Sequence, residues 1–161
     1  MEIERKFKIA AFPTDLPLVY HGFVEQGYLS LDPEVRIRRN TPSPETPEPL
    51  SCKLCVKSDG ALVREEVEAE ITSEDFDTLA RMLTRRPITK DFRVYQLDDG
   101  LKLEVSLVDE GLPSSFMYAE VEFPSVERAE SFAAPEYLGE ELTYVDGARM
   151  KDYWAANPDV E

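Results

Sequence analysis

The sequence has few residues that commonly organise catalysis at neutral pH. Its 161 residues contain two cysteines, Cys52 and Cys55, and one histidine, His21. Serine–histidine triads, histidine-based phosphatases and thermolysin-like zinc sites need more imidazole than this chain supplies. The C-x-x-C spacing of Cys52 and Cys55 suggests zinc or redox chemistry. Zinc requires two further soft ligands, and no other cysteine exists to provide them. In an alternating strand the two positions point to opposite faces, so both are read as reduced structural thiols. No stretch approaches the ~20 apolar residues of a membrane-spanning helix. The start, Met1-Glu2-Ile3-Glu4, has no cationic signal-peptide head. A cytoplasmic protein without membrane association is the expectation. Basic residues are also scarce, 18 against 33 acidic ones, for a net charge of -15. That balance counts against nucleic acid and anionic lipid as partners.

Any catalysis must therefore run on carboxylates, lysine, arginine and a hard metal. With 42% hydrophobic residues the chain can bury a core, and nothing along it marks a domain break, so residues 1–161 are expected to form one domain. Period-two alternation marks strands at 2–9, 34–39, 52–57, 62–71, 101–108 and 117–123, with weaker ones at 22–31 and 92–97. About eight strands close readily into a barrel. Asp59-Gly60 and Asp98-Asp99-Gly100 are hairpin signals. Two amphipathic helices are expected, one capped by Ser73 and carrying Phe76, Leu79, Ala80 and Leu83, the other starting at Ser125. A third is expected over residues 146–156. The segment 41–49, with prolines at 42, 44, 47 and 49, reads as an exposed connection without chemistry.

The charged residues share parity on each strand. Glu2, Glu4 and Lys6 oppose Ile3 and Phe7; Arg36 and Arg38 oppose Val35 and Ile37; Lys53 and Lys57 oppose Leu54 and Val56. Arg64, Glu66, Glu68 and Glu70 form a fourth such face, Lys102 and Glu104 a fifth, Glu120 and Glu122 a sixth. One such face is an ordinary solvent face. Six faces made almost purely of Glu, Arg and Lys fit better as the lining of one cavity, with the apolar faces outward beneath the helices. Arginine and lysine suit phosphate oxygens, and carboxylates suit Mg²⁺ or a similar ion. A polyphosphate with its metal satisfies both sets. A buried ion network without a ligand is costly.

Glu2-Ile3-Glu4-Arg5-Lys6-Phe7 resembles the E-x-E-x-K signature of the CYTH domains, or triphosphate tunnel metalloenzymes. Gln26-Gly27-Tyr28-Leu29, Val35-Arg36-Ile37-Arg38, the run from Arg64 to Glu70, Glu120-Val121-Glu122-Phe123 and Gly139-Glu140-Glu141-Leu142-Thr143 are similar to later family strands and segments, in order. The resemblance implies an α+β, mainly β fold: an eight-stranded antiparallel closed barrel, a tunnel with a charged interior, flanked by amphipathic helices and a C-terminal helix. It implies hydrolysis of a small polyanion, foremost inorganic triphosphate, with Mg²⁺ or Mn²⁺. By position it implies metal ligands among Glu2, Glu4, Glu104, Glu120 and Glu122. Lys6, Arg36, Arg38, Lys57, Arg64 and Arg93 would hold phosphates, with Lys53 and Lys102 toward the mouths. Catalytic roles fall to Glu4, Lys6, Glu66 and Glu68, and family habit suggests a homodimer. Two departures stand out. Lys102 occupies a position where many relatives carry an acidic residue, and the segment from Asp146 to Tyr153 lacks an R-Y-x-N pattern. An adenylate cyclase, or a nucleoside or thiamine triphosphatase of the same fold, is the enzymatic alternative. A non-catalytic polyphosphate-binding module is the alternative of another class.

Overall fold

A computed structural model describes residues 1–156. Its strands are β1 (Glu2–Ile9), β2 (Leu18–Leu31), β3 (Glu34–Pro42), β4 (Ser51–Lys57), β5 (Val63–Arg64), β6 (Glu66–Ile71), β7 (Ile88–Gln96), β8 (Lys102–Val108), β9 (Phe116–Glu122) and β10 (Leu138–Glu141). The helices are α1 (Ser73–Ala80), α2 (Val126–Ser131) and α3 (Met150–Ala156). Eight of the strands follow one another around the sheet in the order β1-β9-β8-β7-β2-β3-β4-β6, all antiparallel. The ring closes where β5 pairs with β1, Glu2 opposite Arg64 and Ile3 opposite Val63. The Glu4 amide donates to the Leu62 carbonyl beside that pairing, at 3.1 Å.

The expected eight-strand barrel is therefore present, with two short strands added. The run 62–71 is broken at Glu65 into β5 and β6, and β10 lies beside the far half of β1. Alternation does not reveal β10. It is pinned instead by Arg5, which points outward and grips Glu141 with Nε at 2.8 Å and Nη2 at 2.6 Å. The same guanidinium donates through Nη1 to the carbonyls of Ala129 and Phe132, tying α2 to the barrel wall.

Apolar residues of opposite parity to the charges form the outer core. Ile3, Phe7, Leu103, Val105, Ala119 and Val121 are buried beneath the α2 segment, with Phe12 and Leu16 packed alongside. Ile37 and Cys52 are buried beneath Phe76 of α1. The helix boundaries differ slightly from expectation. Thr72, not Ser73, caps α1, its hydroxyl accepting from the Asp75 amide at 3.0 Å. Ser125 caps α2 as expected. Helix α3 begins at Met150 rather than Asp146 and packs Met150 and Trp154 on Tyr28, Ile88, Val108 and Tyr118. These four belong to strand faces that look into the bore, so α3 covers one end of the barrel. No helix among the described residues is long and apolar enough to cross a membrane.

Candidate active site

The bore holds a cavity of about 260 Å³. Its lining contains eight carboxylates (Glu2, Glu4, Glu34, Glu66, Glu68, Glu104, Glu120, Glu122) and seven cationic side chains (Lys6, Arg36, Arg38, Lys57, Arg64, Lys90, Arg149). Strand register explains the gathering. Glu4 lies opposite Glu122, Lys6 opposite Glu120 and Glu120 opposite Glu104, giving β1, β9 and β8 one continuous acidic wall. Across the bore, Arg36 and Arg38 of β3 sit opposite Cys55 and Lys53 of β4, and Lys57 sits opposite Glu66 of β6.

Where the walls meet, charges pair. Lys57, only 5% exposed, donates to both oxygens of Glu2 at 3.0 and 3.1 Å and lies 3.3 Å from Glu66. Arg64 bridges Glu2 and Glu34 at 3.5 Å each. Glu2 and Glu4 hold Lys57 above the usual lysine value, against the opposing pull of burial and Arg36.

Elsewhere like charges crowd. Burial and the neighbouring Glu120 push Glu4 well above the usual carboxylate range. Burial would also raise Glu120, but a hydrogen bond from Glu4 and the fields of Lys6 and Lys90 hold it low. The two carboxyls are coupled: burial and the neighbouring charge favour the neutral form of Glu4, while Lys6 and Lys90 favour the charged form of Glu120. Burial and the charge of Glu120 lift Glu104 to about 7. Glu122 is raised by burial, then by Glu2 and Glu66. Among the cations, burial lowers Lys6, Arg38 and, most strongly, Lys90, with Arg36 and Arg38 adding repulsion to Lys90. Lys90 donates to the Tyr118 hydroxyl at 2.5 Å, and Lys6 lies 4.3 Å from the same ring centre while donating to the Ala148 carbonyl at 2.6 Å.

Several buried polar atoms have no partner: Nε of Arg36, Nε of Arg38 and Oε1 of the fully buried Gln26. Unpaired guanidinium donors suit an anion. A crowd of buried carboxylates with raised proton affinity suits a hard divalent cation, whose charge would replace the protons. The residues therefore fit a metal-bound polyphosphate. The carboxylates expected as ligands lie along the acidic wall of β1, β8 and β9. A tighter grouping is Cys55, Glu66 and Glu68, whose ligand atoms lie within 4.8 Å of one another.

The structure brings together Glu2, Glu4, Lys6, Arg36, Arg38, Lys57, Arg64, Glu66, Glu68, Glu104, Glu120 and Glu122. It separates three others. Arg93 does not face the bore: it points outward, its guanidinium 3.9 Å from the centre of the Phe12 ring and paired with Asp91 at 3.1 Å. The reason is parity. The bore face of β7 carries Ile88, Lys90, Phe92 and Val94, so the rule that charge faces inward selects the wrong residue on this strand. Lys102 is exposed at the mouth, outside the main cavity, beside Glu104 and Glu122. Lys53 is 45% exposed and lies 3.7 Å from Glu68, in a side cavity. Sequence reasoning missed Glu34 and Lys90; Arg149, in the segment that lacks the R-Y-x-N pattern, also lines the bore. Glu34 shares parity with Arg36 and Arg38, a signal that was available. Lys90 lies two residues before the expected strand.

No protein-family model matches the chain. A curated relative, the inorganic triphosphatase of Nitrosomonas europaea, is 34% identical over 149 residues, spanning 88% of this chain and 89% of that protein. The chain belongs to the triphosphate tunnel metalloenzyme, or CYTH, family. The crystal structure of the inorganic triphosphatase NE1496 superposes with a TM-score of 0.67 at 30% identity, covering 98% of this tunnel protein and 97% of that chain. HpAC1 from Hippeastrum, described as an adenylyl cyclase candidate with a dominant triphosphatase activity, shares the fold at 18% identity and a TM-score of 0.55 over 81% of this chain and 83% of that one. Divalent metal dependence accords with this family and with the carboxylates of its tunnel.

Proposed function

We propose that the chain hydrolyses inorganic triphosphate, bound in the bore with Mg²⁺ or Mn²⁺. The observation that carries this reading is the pair of facing walls in one cavity, one acidic and one cationic, with buried arginine donors unpartnered between them. The triphosphatase relative, similar over most of both chains, supports the same reading.

Glu2, Glu4, Glu104, Glu120 and Glu122 are the residues that would hold metal. When bound, the ion neutralises substrate charge and polarises the phosphoryl oxygens. Arg36 and Arg38 offer planar forks to those oxygens, and Lys57 and Arg64 hold them from the side where the walls meet. Lys6 and Lys90, both depressed by burial, gain most from a polyanion, because it restores the charge that burial opposes. They stabilise charge developing on the transferred group, which is mainly a positioning and electrostatic task. Glu66 and Glu68 are placed to orient the attacking water.

The test is phosphate release from inorganic triphosphate, thiamine triphosphate and ATP, with either metal. The expected order places inorganic triphosphate first. Cyclic AMP formed from ATP with no release from inorganic triphosphate would overturn the reading in favour of a cyclase. Metal-dependent binding without any release would leave a polyphosphate-binding module.

A further inference from the structure

Arg36 and Arg38 stand between two cavities. Beyond them, toward the ends of β3 and β4, lies a smaller one of about 120 Å³, lined by both arginines with Asn40, Ser51, Lys53 and Cys55. Its one carboxylate is Glu68, which lies 3.7 Å from Lys53. The main cavity carries one more carboxylate than cation and must take up positive charge before a polyanion is stable there. The side cavity has three cations against one carboxylate and has that excess without metal. The Nε donors of Arg36 and Arg38 are buried and unpartnered. A buried donor left unmade is costly, and an acceptor-only ligand removes that cost. Asn40 and Ser51 add neutral donors on the outer side.

We propose that this side cavity is a metal-independent subsite for a single phosphate group. A tetrahedral phosphate offers acceptors in several directions and so can meet two guanidinium groups, an ammonium, an amide and a hydroxyl together. The group is either orthophosphate released by the reaction or the next phosphoryl unit of a longer linear chain. The inference rests on the triphosphatase reading only in naming these sources. Because the two arginines line both cavities, a phosphate held here adds negative charge beside the triphosphate's own binding groups. Its occupancy therefore opposes binding of the next substrate.

The test titrates the full-length protein with inorganic phosphate by calorimetry, with chelator present, for the parent, Ser51→Asp and Lys53→Ala. Ser51 is exposed, so the aspartate is tolerated by the fold and introduces a charge at the pocket rim. One phosphate is expected to bind the parent without metal. Affinity should fall about tenfold or more in each variant, as when a charge-assisted contact is lost. Ser51→Asp is expected to weaken product inhibition by orthophosphate. Linear tetraphosphate as a competitor separates the sources: a selective loss of its affinity in Ser51→Asp identifies the longer chain, and no change identifies the free product. Absence of metal-free binding by the parent, or equal affinity in parent and Ser51→Asp, overturns the proposal. Phosphate binding by a protein that releases nothing from inorganic triphosphate would overturn the proposed function and leave the subsite standing.

Discussion

The two walls of the bore face the same solvent and solve opposite problems. On β1, β8 and β9 burial and crowding favour the neutral carboxyl, raising Glu4 well above its usual range and Glu104 to about 7. Among the cations, burial lowers Arg38 on β3, Lys90 on β7 and Lys6 on β1, and neighbouring positive charge adds to it. Each wall is suited to a ligand of the opposite sign. Where the walls meet, at Lys57 with Glu2 and Glu66 and at Arg64 with Glu2 and Glu34, the protein satisfies itself. Metal completes one wall and phosphate the other, so the two ligands are expected to bind cooperatively.

Breaking the acidic wall should have the largest effect. Glu4→Gln is expected to lower phosphate release from inorganic triphosphate by about 10²-fold or more, the scale of losing one preorganised electrostatic contact. Burial and Glu120 favour the neutral form of Glu4, so the Tm of this variant without metal should not fall. A large drop in that Tm would show that Glu4 is ionised and would break the comparison. Breaking the cationic wall comes next: Arg38→Ala should reduce kcat/KM by about 10²-fold, chiefly through KM. A contrast inside β7 follows. Lys90→Ala is expected to cost about tenfold or more in kcat/KM, whereas Arg93→Ala, on the outer face, should leave it unchanged. Equal losses would return Arg93 to the bore.

The pH dependence tests the acidic wall without any turnover. Glu104 is at about 7 in the folded chain against 4.5 unfolded, so between those values the native state binds more protons. Stability of the metal-free protein should therefore fall as pH rises from about 4.5 to about 7. Divalent metal should oppose the fall by replacing the proton. Glu104→Gln should flatten it, as read by thermal melts across that range. The smallest effect lies outside both walls. Thr72→Ala removes the α1 cap and should cost about 1 kcal/mol in urea unfolding, with activity retained.

Much of the barrel was legible because a closed sheet imposes one rule on every strand: alternate residues enter the bore. Charge of constant parity on β1, β3, β4, β5, β6, β8 and β9 was enough to place twelve lining residues. The same rule failed on β7, where Phe92 and Val94 make the inner face partly apolar and Arg93 lies opposite. Strand β10 was illegible for another reason. Four residues, Leu-Gly-Glu-Glu, carry no pattern, and their pairing with β1 is reinforced by Arg5 on Glu141 and Lys8 on Glu140. The α1 cap shows the usual one-residue ambiguity of adjacent Thr72 and Ser73. The side cavity was legible only as scattered residues, because cavities depend on how side chains fill space.

The place of β1 in the sheet has a consequence for how the protein is made. It is the earliest strand in the sequence, yet β9 and β10 supply most of its partners: Glu4 opposite Glu122, Phe7 opposite Glu141. Loops of that length close slowly relative to neighbouring hairpins. During synthesis β2, β3 and β4 can zip as the chain emerges, while the signature strand waits for the ribosome to deliver its mates. The acidic wall is then the last part to assemble, so a nascent or truncated chain carries the cationic wall alone and gains the metal-seeking half only on completion.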